Sequence, residues 1–376
     1  MTERMVIGVV GLGAMGLGIA QVYAQAGFTV LATDAQLATR EKAKSRLEKE
    51  LAERVIAGKL TAEARETTLS KFTVVDTLQG LTPAGMVIEA IIEVIVAKQQ
   101  VFSELEKILA NDAIFASNTS SLSIAAIANG LWHGSRLLGL HFFNPAPVMK
   151  LVELVAHAGT NGDALLRARE VTEAAGKTVI ACPDLPGFIV NRCARPYYGE
   201  ALALLEEGRT ANEIDASMIS AGYRIGPFGL IDLVGADINL AATQGLAKAM
   251  AFHPRYHVFD ALVSQVTKGE LGRKSGSGFV FPRPPMSEPT DASAIVLRIE
   301  ATLVNEAASL MGESGMAEAD IDTALKLGLN FPRGPFQSAG LHGLSKIKET
   351  LELLEERAPP HLKGRYRLSP ALETMI

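Results

Sequence analysis

At 376 residues the chain is too long for one ordinary domain, and two or three are expected. With 48% hydrophobic and 20% charged residues it can bury real cores, which excludes a disordered chain. The net charge of −5 argues against nucleic acid or an anionic membrane as partner. Two cysteines, Cys182 and Cys193, are too few for a disulfide scaffold or a cysteine-based metal site.

The N-terminus enters an apolar strand at once, without a signal-peptide pattern, and no segment reaches the roughly 18 apolar residues of a membrane span. A soluble cytoplasmic protein without a metal is expected. Met5 to Val10 reads as that first strand, followed directly by Gly11-Leu12-Gly13-Ala14-Met15-Gly16. A helix from Leu17 to Ala26 comes next, then a second strand from Thr29 to Ala32 and the acid Asp34. Strand, G-x-G-x-x-G, helix, strand and acid make one dinucleotide-binding βαβ unit. Gly11 allows the turn, Gly13 the close approach of a pyrophosphate and Gly16 the packing of helix on strand. Asp34 at the ribose 2′-hydroxyl favours NAD over NADP.

Residues 36–72 carry no strand signal. Charges at helical spacing around Leu47, Leu51, Val55 and Ile56, a break at Gly58 and a cap at Thr61 predict a helical hairpin. Its Lys and Arg residues read as a solvated face or as a surface for an acidic ligand. The sheet resumes at Thr73–Val75 and at Met86–Ile92, ending in Glu93, and a helix follows with Lys98 near its start. After a strand at Ala113–Ser117, Asn118-Thr119-Ser120-Ser121 is expected to cap a helix from Leu122. Glu93, Ser120 and His141 thus fall on the edge of the sheet where a parallel α/β fold keeps its ligand. Ser120 alone would read as a helix N-cap.

Residues 139–155 centre on His141, with Asn144 three positions on and Pro145 and Pro147 enforcing a turn. Glu153 lies twelve positions after His141. A His takes a proton near neutral pH, and a carboxylate on its other nitrogen fixes the tautomer. The same spacing also suits a core His beside a strand-edge Glu.

The chain resembles the L-3-hydroxyacyl-CoA dehydrogenase family. The resemblance rests on residues 11–21, 116–124, 139–153, 184–192, 226–235 and 272–279, in order over about three-quarters of the chain. It implies an NAD-dependent enzyme that oxidises L-3-hydroxyacyl-CoA to 3-ketoacyl-CoA. It implies His141 as general base, Glu153 as its partner, and Ser120 and Asn191 as contacts to the substrate oxygen. Asn144 would lie by the nicotinamide. Gly11, Gly13, Ala14, Met15, Gly16, Asp34, Glu93, Lys98, Ser120 and Lys274 would contact the cofactor. The chain departs from the family pattern at Val94, where Asn is usual, and at Glu50 and Ala57, where the family places Ser and Lys against CoA. Two other readings compete: a dehydrogenase of a free 3-hydroxy acid, and a non-catalytic dinucleotide-binding protein of the crystallin sort.

The expected architecture is a doubly wound Rossmann-type domain over 1–184, an all-α domain over 185–281, a Pro-rich linker over 282–290, and a degenerate second copy of the helical domain over 291–376. The repeat shows in Ile189-Val190-Asn191-Arg192 against Ile295-Val296-Leu297-Arg298 and in Gly226-Pro227-Phe228 against Gly334-Pro335-Phe336. Leu297 stands where the first copy has Asn191, so the second copy should be catalytically silent. It would replace part of the contact between subunits in a possible homo-oligomer.

Overall fold

The computed structural model describes residues 5–283 and 288–376, in two units that part after Leu185.

The first unit is an eight-stranded sheet. Its elements are β1 (Ile7–Val10), α1 (Ala14–Gln25), β2 (Val30–Thr33), α2 (Leu37–Ile56), α3 (Ala62–Lys71), β3 (Phe72–Val74), β4 (Met86–Glu89) and α4 (Ile95–Leu105). There follow β5 (Ile114–Ser117), α5 (Ile124–Ala128), β6 (Leu137–Phe142), β7 (Leu151–Ala156), α6 (Gly162–Ala174) and β8 (Thr178–Pro183). The strand order is 3-2-1-4-5-6-7-8, parallel except where β7 turns back against β6. The central strands β1, β4, β5 and β6 are buried throughout, as strands covered on both faces must be. One core joins β1, β2 and β4 to α1, and reaches α2 through Ala43, Leu47 and Leu51; of the four positions whose spacing marks that helix in the sequence, Leu47 and Leu51 are buried, Val55 is half-buried and Ile56 is exposed. Thr61 caps α3 through Ala64 N–H.

Several boundaries differ from the sequence reading, α1 opening at Ala14 instead of Leu17 among them, and two of the differences bear on the site. β4 stops at Glu89 instead of Ile92, so Glu93 stands in the loop beyond the strand. The helix after β5 begins at Ile124, and its cap is Ser123, which accepts from Ala126 N–H. The stretch Asn118–Ser121 makes a polar turn instead of a cap.

The second unit is helical: α7 (Val190–Cys193), α8 (Arg195–Glu206), α9 (Ala211–Ser220), α10 (Pro227–Val234), α11 (Ala236–Ala249), α12 (Asp260–Thr267), α13 (Ala292–Ser314), α14 (Glu318–Leu329), α15 (Pro335–His342), α16 (Leu344–Arg357) and α17 (Pro370–Met375). Residues 284–287 of the expected linker lie outside the described residues. The long helix α13 packs against α8, α9, α15, α16 and α17 and is the centre of this unit. Across it run two sets of buried charges. Glu306 accepts from Arg192 Nε at 2.6 Å, Tyr256 Oη at 2.6 Å and Arg255 at 3.2 Å. Glu200 accepts from Arg298 Nε at 2.6 Å, Tyr366 Oη at 3.0 Å and Arg365 Nε at 3.2 Å. Both carboxylates are fully buried, and each is satisfied by two guanidinium groups and a phenol. Among the described residues no helix is long and apolar enough to cross a membrane.

Candidate active site

The loop between β1 and α1 needs its glycines for different reasons. Gly11 sits at φ 96°, and a Cβ there would stand 2.5 Å from the Ala90 carbonyl oxygen. At Gly16 a Cβ would fall 1.8 Å from the Gly11 carbonyl oxygen, so the helix could not close on the loop. Around Gly13 no atom would lie within 4 Å of an added Cβ, which leaves the backbone open to a ligand. α1 opens at Ala14 and Met15 with no side-chain cap and no acid in its first turn. Its first N–H groups and the positive end of its dipole fit the pyrophosphate of a dinucleotide.

Asp34 follows β2 directly. Its two carboxylate oxygens accept from Leu12 N–H and Gln36 N–H, each at 2.8 Å, which aims the acid at the glycine loop. Arg46 of α2 donates to the Leu12 carbonyl at 3.0 Å and ties the helical hairpin to the same loop.

Beyond β4 and β5 the charges interlock. Lys98, itself buried, lies 2.7 Å from Glu89 Oε1 and 3.2 Å from Glu93 Oε2. Ser117 Oγ donates to the second oxygen of Glu89 at 2.7 Å. Glu93 accepts from Thr119 Oγ1 at 2.5 Å, Ser121 Oγ at 3.0 Å and Ser120 N–H at 3.1 Å. Burial opposes ionisation of Glu93, but the Thr119 bond and the Lys98 ammonium outweigh it and hold its carboxyl below the usual range. Glu89 has no role in the sequence reading, and Thr119 enters it only within the capping stretch. The available signal was that Glu89 is the one acid in the otherwise apolar strand Met-Val-Ile-Glu.

His141 and Glu153 face each other across the β6–β7 pair in direct register. Nδ1 of His141 lies 2.6 Å from Glu153 Oε2, with the His 6% and the Glu 0% exposed. Cross-strand neighbours in register put their side chains on one face, so the twelve-residue spacing becomes a contact once the Pro145–Pro147 turn reverses the chain. The Phe143 ring packs on the imidazole at 4.5 Å between centroids. Asn118, which enters the sequence reading only within the capping stretch, fixes the end of β6 by accepting from Phe142 N–H at 2.8 Å. Lys177 donates to the Ala146 and Met149 carbonyls at 2.5 and 2.7 Å and braces the turn. Burial, together with the charges of Lys150 and Arg54, brings its pKa down to about 8. Asn144 is exposed at the head of that turn. Gly11, Gly13, Asp34, Glu93, Lys98, Ser120, His141, Asn144 and Glu153 therefore all belong to the first unit, most of them at or just beyond strand ends, with Lys98 on α4 and Glu153 within β7. Asn191, on α7, and Lys274, after α12, belong to the second.

Residues 6–185 match the family model described as the NAD binding domain of 3-hydroxyacyl-CoA dehydrogenase, and residues 187–281 and 295–376 match that family's C-terminal domain. The chain belongs to the 3-hydroxyacyl-CoA dehydrogenase family. Members of known identity include human mitochondrial hydroxyacyl-coenzyme A dehydrogenase, 40% identical over 72% of this chain and 89% of that protein. The 3-hydroxyadipyl-CoA dehydrogenase of Escherichia coli is 42% identical over 74% of this chain, and the match spans 59% of that longer protein. Among solved structures, 3-hydroxybutyryl-CoA dehydrogenase from Escherichia coli superposes with a TM-score of 0.91 at 30% identity, over 99% of this chain and 98% of the other. (S)-3-hydroxybutyryl-CoA dehydrogenase from Ralstonia eutropha gives 0.70 at 32% identity, over 76% of this chain and all of its own. The first unit is thus the NAD-binding domain of a 3-hydroxyacyl-CoA dehydrogenase, and the helical unit carries its C-terminal domain. NAD is the cofactor.

Proposed function

We propose that the chain interconverts an L-3-hydroxyacyl-CoA and its 3-ketoacyl-CoA with His141 as the general base. The observation that carries this is the 2.6 Å contact of His141 Nδ1 with buried Glu153 at the sheet edge that follows the dinucleotide loop. With Nδ1 held by the carboxylate, Nε2 is the atom that takes the 3-hydroxyl proton, and Glu153 stabilises the imidazolium that results. Bound NAD supplies the hydride acceptor. Ser120 and Asn191 hold the substrate oxygen, Asn144 lies at the nicotinamide, and Lys274, Glu93 and Lys98 serve the cofactor side. Glu50 and Ala57 replace the residues the family sets against CoA, so the thioester and acyl portion carry more of the recognition. A free 3-hydroxy acid is the competing substrate. Loss of NADH absorbance should be seen with 3-ketoacyl-CoA substrates, short straight chains and 3-oxoadipyl-CoA among them, and not with acetoacetate. NADPH should be a poor substitute because Asp34 repels a 2′-phosphate. Turnover of acetoacetate at the rate of its CoA thioester, or equal efficiency with NADPH, would overturn these two assignments.

We infer in addition that residues 291–376 are a second copy of the helical domain. Three features support this reading. The family's C-terminal model matches both 187–281 and 295–376. The eight-residue helices α10 and α15, and the fourteen-residue helices α11 and α16, correspond at a constant offset of 108 with a left-handed glycine between each pair. And the two charge sets are reciprocal: Arg192, Glu200, Arg255 and Tyr256 of one half pair with Glu306, Arg298, Arg365 and Tyr366 of the other. Such exchange is the signature of a two-fold interface between like halves.

A further inference from the structure

One arginine of the helical unit is buried without an acid. Arg195, at the head of α8, is 8% exposed, and its contacts are neutral. Its Nε donates to the Asn191 carbonyl at 3.2 Å and its Nη1 to Thr243 Oγ1 at 2.9 Å. Thr243 can accept because its own hydroxyl donates to the Asn239 carbonyl at 2.8 Å. The centroid of the Tyr198 ring lies 4.9 Å from the Arg195 Cζ. Nη2 meets no acceptor among the described residues, and no carboxylate among them pairs with the group. Burial pushes the pKa of Arg195 down, but a guanidinium keeps its proton inside a protein. A buried charge needs a counter-charge, and a phenol ring and two neutral oxygens supply only part of one.

Arg195 shares the wall of a small cavity with Arg255, Thr243, Tyr198 and His257, and no acid lines it. Arg255 spends Nη1 on Glu306 and Nη2 on the Arg367 carbonyl, and its Nε is buried without an acceptor. Burial, with His361 and Arg365 beside it, holds His257 below its usual range, so its ring is neutral at pH 7. The cavity has room for about one water-sized particle. That size admits a monatomic ion and excludes sulfate, phosphate or a carboxylate.

The second half shows that the helix itself does not need this cation. At the offset of 106 that aligns Glu200 with Glu306, Arg195 corresponds to Ala301, buried in α13. The arginines that join the two halves each have a buried carboxylate. Arg192 and Arg255 meet Glu306, and Arg298 and Arg365 meet Glu200. Arg195 stands outside that pattern.

We propose that this cavity binds one small monovalent anion of the halide class, with the Arg195 guanidinium and the Arg255 Nε–H as its donors. The anion neutralises a charge that no carboxylate meets, and it satisfies the buried N–H of Arg255. Water in the same place would serve the N–H groups and leave the charge.

Crystals of the full chain soaked in sodium bromide should give an anomalous peak within hydrogen-bond distance of Arg195 and of Arg255 Nε. In solution, sodium chloride is raised at constant ionic strength with sodium gluconate as the balance. The Tm of the full chain should then rise by roughly 2–4 °C for each tenfold step above the Kd. Arg195→Met and Arg195→Gln, two neutral replacements, should show no such rise and no bromide peak. No peak in the cavity of the full chain, or a chloride response that the neutral variants share, overturns the site and leaves a buried water there. A peak without chloride-dependent stability in the full chain is binding at crystal concentration only, and overturns it as well.

Discussion

At the scale of single residues, the site turns on a carboxylate and an imidazole that no solvent separates. His141→Gln removes the proposed base and should lower kcat by roughly 10²- to 10⁴-fold with NADH affinity little changed. Glu153→Gln should also lower kcat, because a neutral amide neither fixes the tautomer nor offsets the imidazolium charge. Their double variant should lose far less than the product of the two single losses. Stopped-flow and steady-state rates on the three variants check this, and losses that multiply would mean the two residues act separately. The residues of this site divide by how far their signal reaches along the chain. Gly11, Gly16 and Asp34 were legible because their geometry is local to one βαβ unit. The pairing of His141 with Glu153 was legible as a spacing with two readings, and only the direct register of β6 on β7 makes it a contact. Glu89 and Asn118 were not legible. Each acts on a strand that is its neighbour in space and not in sequence: Glu89 on Ser117, and Asn118 on Phe142.

At the scale of elements, most of the sheet and its helices could be read from apolar runs and caps, and the errors lie at ends. The apolar run Met86–Ile92 contains a strand of four residues, whose last residue, Glu89, keeps its place in the ladder and meets Lys98 through its side chain. Asn118–Ser121 carries the residue types of a cap, but Thr119 and Ser121 are spent on Glu93, and Ser123 caps instead. In the helical unit the joint between α9 and α10 depends on a buried acid. Burial, with the like charge of Asp232 behind it, pushes Asp215 up to about 7 against the two N–H bonds it accepts. A folded-state pKa above the unfolded 3.8 means that the folded form holds an extra proton between about 4 and 7. The contribution of Asp215 is therefore full below pH 4 and is lost as pH rises through 7. Asp215→Asn keeps an acceptor and cannot titrate. Relative to that variant, the natural chain should lose stability from pH 4.5 to 7.5, at most about 1.4 kcal/mol per pH unit. Urea unfolding followed by helical circular dichroism reads it directly, and parallel pH profiles for the two proteins would remove Asp215 as the titrating group.

At the scale of the molecule, the proposed duplication makes the helical unit a dimer written into one chain. The reciprocal pairs carry a consequence for assembly, because each half contains both members of every pair. Arg192, Arg255 and Tyr256 meet Glu306, and the residue in the first half that corresponds to Glu306 is Glu200. Removing residues 291–376 at the linker leaves Arg192, almost fully buried in the full chain, without Glu306 and Glu313, and leaves Glu200 without its three donors. It also bares the apolar face of α8 that α13 covers. A patch larger than a few hundred Å² on a soluble monomer drives association. Here the exposed charges make that association specific, since Arg192 of one truncated chain can take Glu200 of another. The truncated protein should therefore run as a two-fold dimer. Arg192→Ala in that background should shift it to monomer or aggregate, because one change deletes two symmetry-related ion pairs. The full chain should occupy half as many copies per assembly as the truncated form. Light scattering and sedimentation on the three proteins, with NADH turnover measured in parallel, decide between the possibilities. A truncated chain that stays monomeric, soluble and fully active would show that the second half is not the internal partner, and that the reciprocal pairs serve only the packing of one helical domain.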